Sequence, residues 1–151
     1  FSPTGIYSVT PKARTWDGEL VFGDRVGLVA LNLPAIVSPG DKFDLLLQAR
    51  ARARMAVPHS ASIQIYSAKT SLAGPKVAQI DSWLCPPNPT TIWTPTQIYY
   101  QHFVTTLPQN IPAGDYEIYL SVYEPETNAV LPVTSGAPRA GNALVGRFTV
   151  R

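Results

Sequence analysis

Apolar and polar residues alternate with a period of two along much of this 151-residue chain. Successive side chains of a β-strand point to opposite faces, so the alternation predicts strands with one buried and one wet face. The alternating segments cover residues 19–22, 26–33, 43–47, 62–66, 77–81, 98–104, 115–123 and 143–150. Turn-forming clusters separate them, and no helix longer than a turn or two is indicated. The sequence therefore predicts an all-β fold, an antiparallel β-sandwich of immunoglobulin-like or jelly-roll-like type with about seven to nine strands.

The composition indicates one domain with a large core. Apolar residues make up 45% of the chain and charged residues 15%, below the ~25% that is usual in soluble proteins. The 15 prolines, about twice the usual share, suit strand ends and loops rather than helix interiors. We expect a single domain over residues 1–151, with its core within 19–150 and an N-terminal extension over residues 1–18.

Charge, hydropathy and cysteine content exclude several classes of function. The net charge of +2 is too small for a nucleic-acid-binding surface, and no apolar run reaches the ~18–20 residues of a membrane span. Because Cys85 is the only cysteine, we expect neither an internal disulfide nor a zinc site of several thiolates, and no cofactor. The chain begins with Phe1, so we expect that any signal peptide or membrane anchor lies outside this sequence.

Three arginines alternate with alanines in the segment QARARARM, residues 48–55. A helix would scatter Arg50, Arg52 and Arg54 around its axis, whereas a strand places them on one face about 6.8 Å apart, opposite Ala53 and Met55. We therefore predict a strand. Its arginine face could bind phosphate, sulfate or an acidic sugar, because guanidinium groups match such oxyanions. The alternative is a solvated sheet face, or a charged edge that resists strand addition.

Aromatic residues cluster in a proline-rich segment, residues 81–100. Its candidate ligand-binding residues are Trp83, Trp93, Tyr99 and Tyr100. Exposed rings on a β-sandwich could stack on sugar rings, while buried rings would instead close one end of the sandwich. Tyr99 and Tyr100 are adjacent in a predicted strand, so we expect them on opposite faces.

The sequence gives little support for catalysis. His59 and His102 are far apart in the chain, and neither a Gly-x-Ser-x-Gly motif nor a glycine-rich phosphate loop nor metal-ligand spacing is present. We expect no catalytic residue and no metal site, and the open alternative is a structural Ca²⁺ ion held by loop carboxylates and carbonyls. A hydrolase, the third hypothesis, would require one histidine within hydrogen-bond reach of a serine or carboxylate in a pocket.

Several segments, read in order, resemble a known family. They are residues 22–33, 37–41, 77–81, 89–95, 107–108, 111–123 and 127–132. This order resembles the β-sandwich domains appended, on the extracytoplasmic side, to bacterial multi-spanning membrane proteins of the dolichyl-phosphate-mannose mannosyltransferase type, and related domains of exported bacterial proteins. The resemblance covers roughly residues 20–150. In that family a Trp often follows the Pro-Gly-Asp turn, where this chain has its arginine–alanine alternation.

The resemblance implies an extracytoplasmic accessory domain, periplasmic or at the cell surface, tethered through sequence that is absent here. No catalytic residue transfers to this chain, because the transferase chemistry belongs to the membrane portion, which would also be a partner. Our leading hypothesis is a non-catalytic domain that contacts glycan or cell-envelope polymer. The alternative is a structural or protein–protein interaction module with no small ligand.

Overall fold

Two β-sheets facing each other across an apolar core form the protein. The computed structural model describes residues 15–16, 18–136 and 138–151, so most of the predicted extension over residues 1–18 lies outside the described residues. In chain order the strands are β1 (Leu20–Phe22), β2 (Val26–Asn32), β3 (Ile36–Val37), β4 (Lys42–Ala51), β5 (Ser60–Ser67), β6 (Lys76–Trp83), β7 (Tyr99–Thr106), β8 (Gly114–Glu124), β9 (Ala129–Val130) and β10 (Ala143–Val150).

The strand order confirms the predicted sandwich. The first sheet runs β1-β2-β4-β7, and the second runs β3-β10-β8-β5-β6 with β9 paired to β8. All neighbouring strands are antiparallel except β3, which pairs in parallel with β10. Each of the eight predicted segments forms a strand. The two further strands, β3 and β9, have two residues each, which is too short to produce an alternation.

Aromatic packing joins the two sheets. The ring of Phe43, on β4 of the first sheet, lies 4.5 Å from the ring of Phe148, on β10 of the second sheet. Tyr116, on the neighbouring strand β8, stacks on the same Phe148 ring at 5.5 Å. All three are buried, and Phe43 is fully so. Because large aromatic side chains bury much apolar area, this contact contributes strongly to holding the sheets together.

The strand prediction for the arginine segment is correct only in part. β4 ends at Ala51, which pairs with Val26, the first residue of β2. The backbone N–H of Arg52 still donates to the carbonyl of Arg25 at 2.7 Å. Beyond this bond β4 has no strand to pair with, because the residues before Arg25 form the turn that connects β1 to β2. Ala53, predicted to be buried, is exposed, and Arg54 lies in the loop that follows. Met55 is buried as predicted.

We predict that Phe43→Ala lowers the free energy of unfolding by about 3–5 kcal/mol, because it leaves a cavity at the contact between the sheets. Urea denaturation measures the change. Val104→Ala is the matched control, since Val104 is 51% exposed on β7 and its truncation should change stability by less than about 0.5 kcal/mol. Equal effects of the two substitutions would contradict the placement of Phe43.

Candidate functional site

The proline-rich aromatic segment crosses from one sheet to the other. It leaves β6 after Trp83, at one edge of the second sheet, and enters β7 at Tyr99, at one edge of the first sheet. Gln101 fastens the crossing: its Oε1 accepts from the backbone N–H of Cys85 at 2.7 Å, and its Nε2 donates to the carbonyl of Trp83 at 3.1 Å. Cys85 itself has φ = 48°, a left-handed conformation that turns the chain sharply at this point.

Trp93 and Tyr99 serve packing rather than an open surface. The Trp93 ring is only 5% exposed, lies parallel to the Tyr99 ring at 4.4 Å, and donates from Nε1 to the carbonyl of Asn88 at 2.7 Å. Each ring covers one face of the other, and Trp93 is buried as a whole, so its ring has no face open to a ligand. We therefore correct the ligand-binding interpretation for this pair: the two rings match the alternative, closure of the sandwich under the crossing segment.

Trp83 and Tyr100 are exposed, at 48% and 58% respectively, but belong to different sheets. Trp83 ends β6 and points outward, since Ala78 and Ile80, at the opposite parity of the same strand, pack against the core. Tyr100 points away from the face on which Tyr99 packs, as predicted for adjacent strand residues. The aromatic cluster of the sequence therefore divides into a stacked pair, of which Trp93 is buried and Tyr99 partly buried, and two exposed rings on different sheets.

Trp83 forms one wall of an apolar pocket of about 260 Å³, the Trp83 pocket. The lining residues come from the start of β5 and from the crossing segment, and they are Pro58, His59, Trp83, Leu84, Pro86 and Pro89. Prolines suit this position because their rings fix the backbone and offer apolar surface without a free N–H. The pocket has the apolar character of a ligand site but is small.

A polar strip continues from Trp83 along the outer face of the second sheet. Trp83, Asp81 and Gln79 alternate along β6, and their partners on β5 are Ser60, Ser62 and Gln64. Gln79 Nε2 donates to Asp81 Oδ2 at 3.0 Å and to Ser62 Oγ at 3.3 Å. Asp81 and Gln79 are exposed, so carboxylate and amide groups are available to a ligand beside the indole ring.

One carboxylate forms ion pairs with two of the three candidate arginines. Glu19 accepts from Arg50 Nε at 2.6 Å and from Arg52 Nη1 at 2.9 Å. Gly27 makes room for this carboxylate, because a Cβ at that position would overlap it. Arg50 also donates to the carbonyl of Pro95 at 3.2 Å. Arg50 and Arg52 are thus both held in ion pairs on a charged sheet face, and one net positive charge remains on the three side chains; the anion-binding role predicted for the two arginines stays a prediction.

Arg54 belongs to a second cavity, of about 280 Å³, which we call the Arg54 cavity. Its lining residues are Arg25, Arg54, Met55, Ala56, Val57, His59 and Glu124. Arg25 follows a tight turn at Gly23 and Asp24, both with positive φ, and its Nη1 donates to Glu124 Oε2 at 2.7 Å. Sequence reasoning did not single out Arg25, and it expected Glu124 to be a solvated turn carboxylate rather than an ion-pair partner. The one available signal was the Gly-Asp turn, which places the next residue beside the end of the arginine strand.

His59 is a buried residue between the two cavities. Its side chain is 1% exposed, and Nδ1 lies 2.8 Å from the carbonyl of Val57, so we assign the proton to Nδ1. Nε2 then accepts from Arg25 Nη1 at 3.4 Å, while Glu124 Oε2 lies 3.9 Å away. Burial lowers the pKa of His59 below its ordinary value of 6.5, and Arg25 adds to this effect, against opposing contributions from the Val57 carbonyl and Glu124.

The two histidines have different surroundings. Nε2 of His59 faces the guanidinium of Arg25, which is closer to it than the carboxylate of Glu124. His102 Nδ1 lies 3.0 Å from Asp44 Oδ1, which meets the distance requirement, but these side chains are 45% and 29% exposed. They lie on β7 and β4 and line neither the Trp83 pocket nor the Arg54 cavity.

Comparisons with known proteins add little to this description. No protein-family model and no curated protein matches the chain. Among solved structures, it is similar to the crystal structure of a CARDB domain from Pyrococcus furiosus in complex with di-metal ions, with a TM-score of 0.44 and 15% identity over 90% of this chain and 97% of that chain. In the described part of this chain, no three His, Cys, Asp or Glu side chains are grouped so as to hold a metal ion.

We predict that protein stability falls as the pH is lowered through the range in which unfolded histidine takes up its proton. The folded pKa of His59 lies below 6.5, so from about pH 6.5 downward the unfolded state binds more protons than the folded state. The free energy of unfolding is therefore greatest above that pH and decreases below it, by at most about 1.4 kcal/mol per pH unit. Urea denaturation between about pH 7 and pH 5.5 measures the slope.

His59→Gln, which cannot take up this proton, should flatten that slope. His102→Gln is the control, because it replaces an exposed histidine and leaves His59 in place. A slope that is the same in the native protein and in His59→Gln would show that His59 does not carry the pH dependence.

Proposed function

We propose that this domain is a non-catalytic, extracytoplasmic accessory module that binds a glycan or cell-envelope polymer at the Trp83 pocket. The observation that carries the proposal is the position of Trp83: its ring is half exposed, borders an apolar pocket and is followed along β6 by exposed polar side chains. Apolar surface and hydrogen-bonding groups side by side are what a sugar ring requires.

The chemistry of a sugar matches these two surfaces. A pyranose ring has an apolar face of C–H groups, which packs on an indole ring with little loss of conformational entropy. Its hydroxyl groups lie around the edge of the ring and need donors and acceptors, which Asp81 and Gln79 supply on the adjacent strip. The pocket, at about 260 Å³, is small, so we expect it to take one ring of a longer polymer.

The absence of catalysis is part of the proposal. The positions of His59 and His102 support it, because the first is buried against Arg25 and the second lies on an open sheet face. Neither arrangement provides a proton acceptor beside a nucleophile in a pocket.

Extracytoplasmic location and attachment to a multi-spanning membrane protein are also proposed, and the segment resemblance supports them. Within the described residues, no helix has the length and apolar character that crossing a bilayer requires. Isolation of the native protein from fractionated cells, with protease treatment of intact cells, tests this part. Protection of the domain from protease after the outer layers are permeabilised would contradict it.

A protein–protein interaction module is the second candidate. It is favoured by β7, an edge strand whose outer face exposes Tyr100 and Val104, at 58% and 51%. An edge strand has unpaired backbone groups to which a partner strand can add. This surface is separate from Trp83, so substitutions distinguish the two candidates.

We predict that Trp83→Ala weakens glycan binding about tenfold or more, since the loss of a stacked ring removes both buried area and aromatic contact. Binding is measured by calorimetry against polysaccharides selected on a glycan array. Tyr100→Ala is the matched control, because it removes an exposed ring of similar size from the other sheet. It should leave glycan binding unchanged.

Two outcomes would overturn the glycan proposal. One is an array and calorimetry screen in which no polysaccharide binds the folded domain. The other is binding that Tyr100→Ala weakens and Trp83→Ala does not, which would assign the interaction to β7. Quenching of tryptophan fluorescence by iodide checks the starting geometry, since Trp83 should be accessible and Trp93 protected.

A further inference from the structure

The Trp83 pocket and the Arg54 cavity are neighbours. Both have His59 in their lining, and the loop between β4 and β5 contributes Arg54 to one and Pro58 to the other. A ligand that occupies the Trp83 pocket therefore lies next to the Arg54 cavity. The cavity, at about 280 Å³, is large enough for a small charged group.

The charges around the Arg54 cavity favour an anion. Two guanidinium groups, of Arg25 and Arg54, and one carboxylate, of Glu124, contribute to its lining, while His59 is buried and held neutral at neutral pH. Arg25 donates to Glu124, so that pair is compensated. The charge of Arg54 is left over, and the lining as a whole carries one net positive charge.

Arg54 differs from the other two arginines of its segment in its lack of an ion-pair partner among the described residues. Arg50 and Arg52 share Glu19. Across residues 15–16, 18–136 and 138–151, no carboxylate lies within ion-pair distance of Arg54. An exposed guanidinium group beside a concave surface has its planar donors available for an oxyanion.

We infer that the Arg54 cavity binds an acid group of the same ligand whose ring stacks on Trp83, so that the glycan recognised by this domain is anionic. This inference rests on the proposed function. The group is an oxyanion carried by a sugar, either the carboxylate of a uronic acid or a sulfate ester, because these present the oxygens that a guanidinium fork binds. Arg54 donates to the oxyanion, while Arg25 holds the carboxylate of Glu124 in an ion pair.

The experiment compares matched ligands that differ only in charge. The whole domain is titrated by calorimetry with an oligogalacturonate and its neutral methyl ester, and with a sulfated oligosaccharide and its unsulfated parent. We expect one acidic member to bind about tenfold or more tightly than its neutral counterpart. The pair that shows this difference identifies the source of the oxyanion, and the affinity should fall with rising salt concentration.

Arg54→Gln should remove most of the preference for the acidic ligand and leave binding of the neutral one unchanged. Arg52→Gln is the matched control, since its guanidinium belongs to the same segment but is compensated by Glu19. It should retain the preference. Both are surface side chains, with Arg52 42% exposed, so unfolding midpoints are expected to remain close to that of the native protein, and this is measured alongside.

The possible failures are distinguishable. Equal affinity for acidic and neutral ligands, or a preference that survives Arg54→Gln, overturns the anionic assignment while glycan binding at Trp83 stands. If none of the four ligands and no polysaccharide on the array binds, the proposed function fails and the assignment of an anionic glycan fails with it.

Discussion

The burial of one face of each sheet against the other is the constraint on which the rest of this structure depends. The contact of Phe43 with Phe148, supported by Tyr116, fixes β4 over β10 and β8. Once these central strands are fixed, the hydrogen-bonded pairing of the other strands determines which residues lie at the strand ends and at the sheet edges. The Trp83 pocket and the Arg54 cavity lie at such positions. The first borders the start of β5 and the end of β6, and the second borders the loop after β4 and the end of β8. Their lining is thus set by the register of strands whose other faces are in the core.

The crossing from β6 to β7 explains why aromatic residues close in sequence have different roles. A connection between the edges of two sheets must cover the apolar side of the sandwich that it passes, and the stacked pair of Trp93 and Tyr99 provides that cover. Trp83 precedes the crossing and is the last residue of its strand, so its ring remains outside. The same segment therefore combines a structural element and a candidate ligand surface.

Charge compensation divides the arginine segment in a similar way. The carboxylate of Glu19, which precedes β1, reaches across β2 because Gly27 has no side chain to obstruct it. Arg50 and Arg52 are thereby held in surface ion pairs, of the kind that contributes little to stability. Arg54 lies beyond the end of the ladder and beyond the reach of that carboxylate. The end of β4 thus separates Arg52, which is paired with Glu19, from Arg54, which has no carboxylate partner among the residues that the structure describes.

The alternation of apolar and polar residues determined the fold class and all eight longer strands, because burial of one sheet face imposes a period of two on the sequence. It also determined that Tyr99 and Tyr100 point to opposite faces. It could not locate the end of β4, which depends on where its partner β2 begins. Nor could it show that Trp93 is buried while Trp83 is exposed. It also could not show that Glu19 forms ion pairs with two arginines, or that Arg25 donates a hydrogen bond to His59. These features arise between residues distant in the chain, and only the packing of the two sheets brings them together.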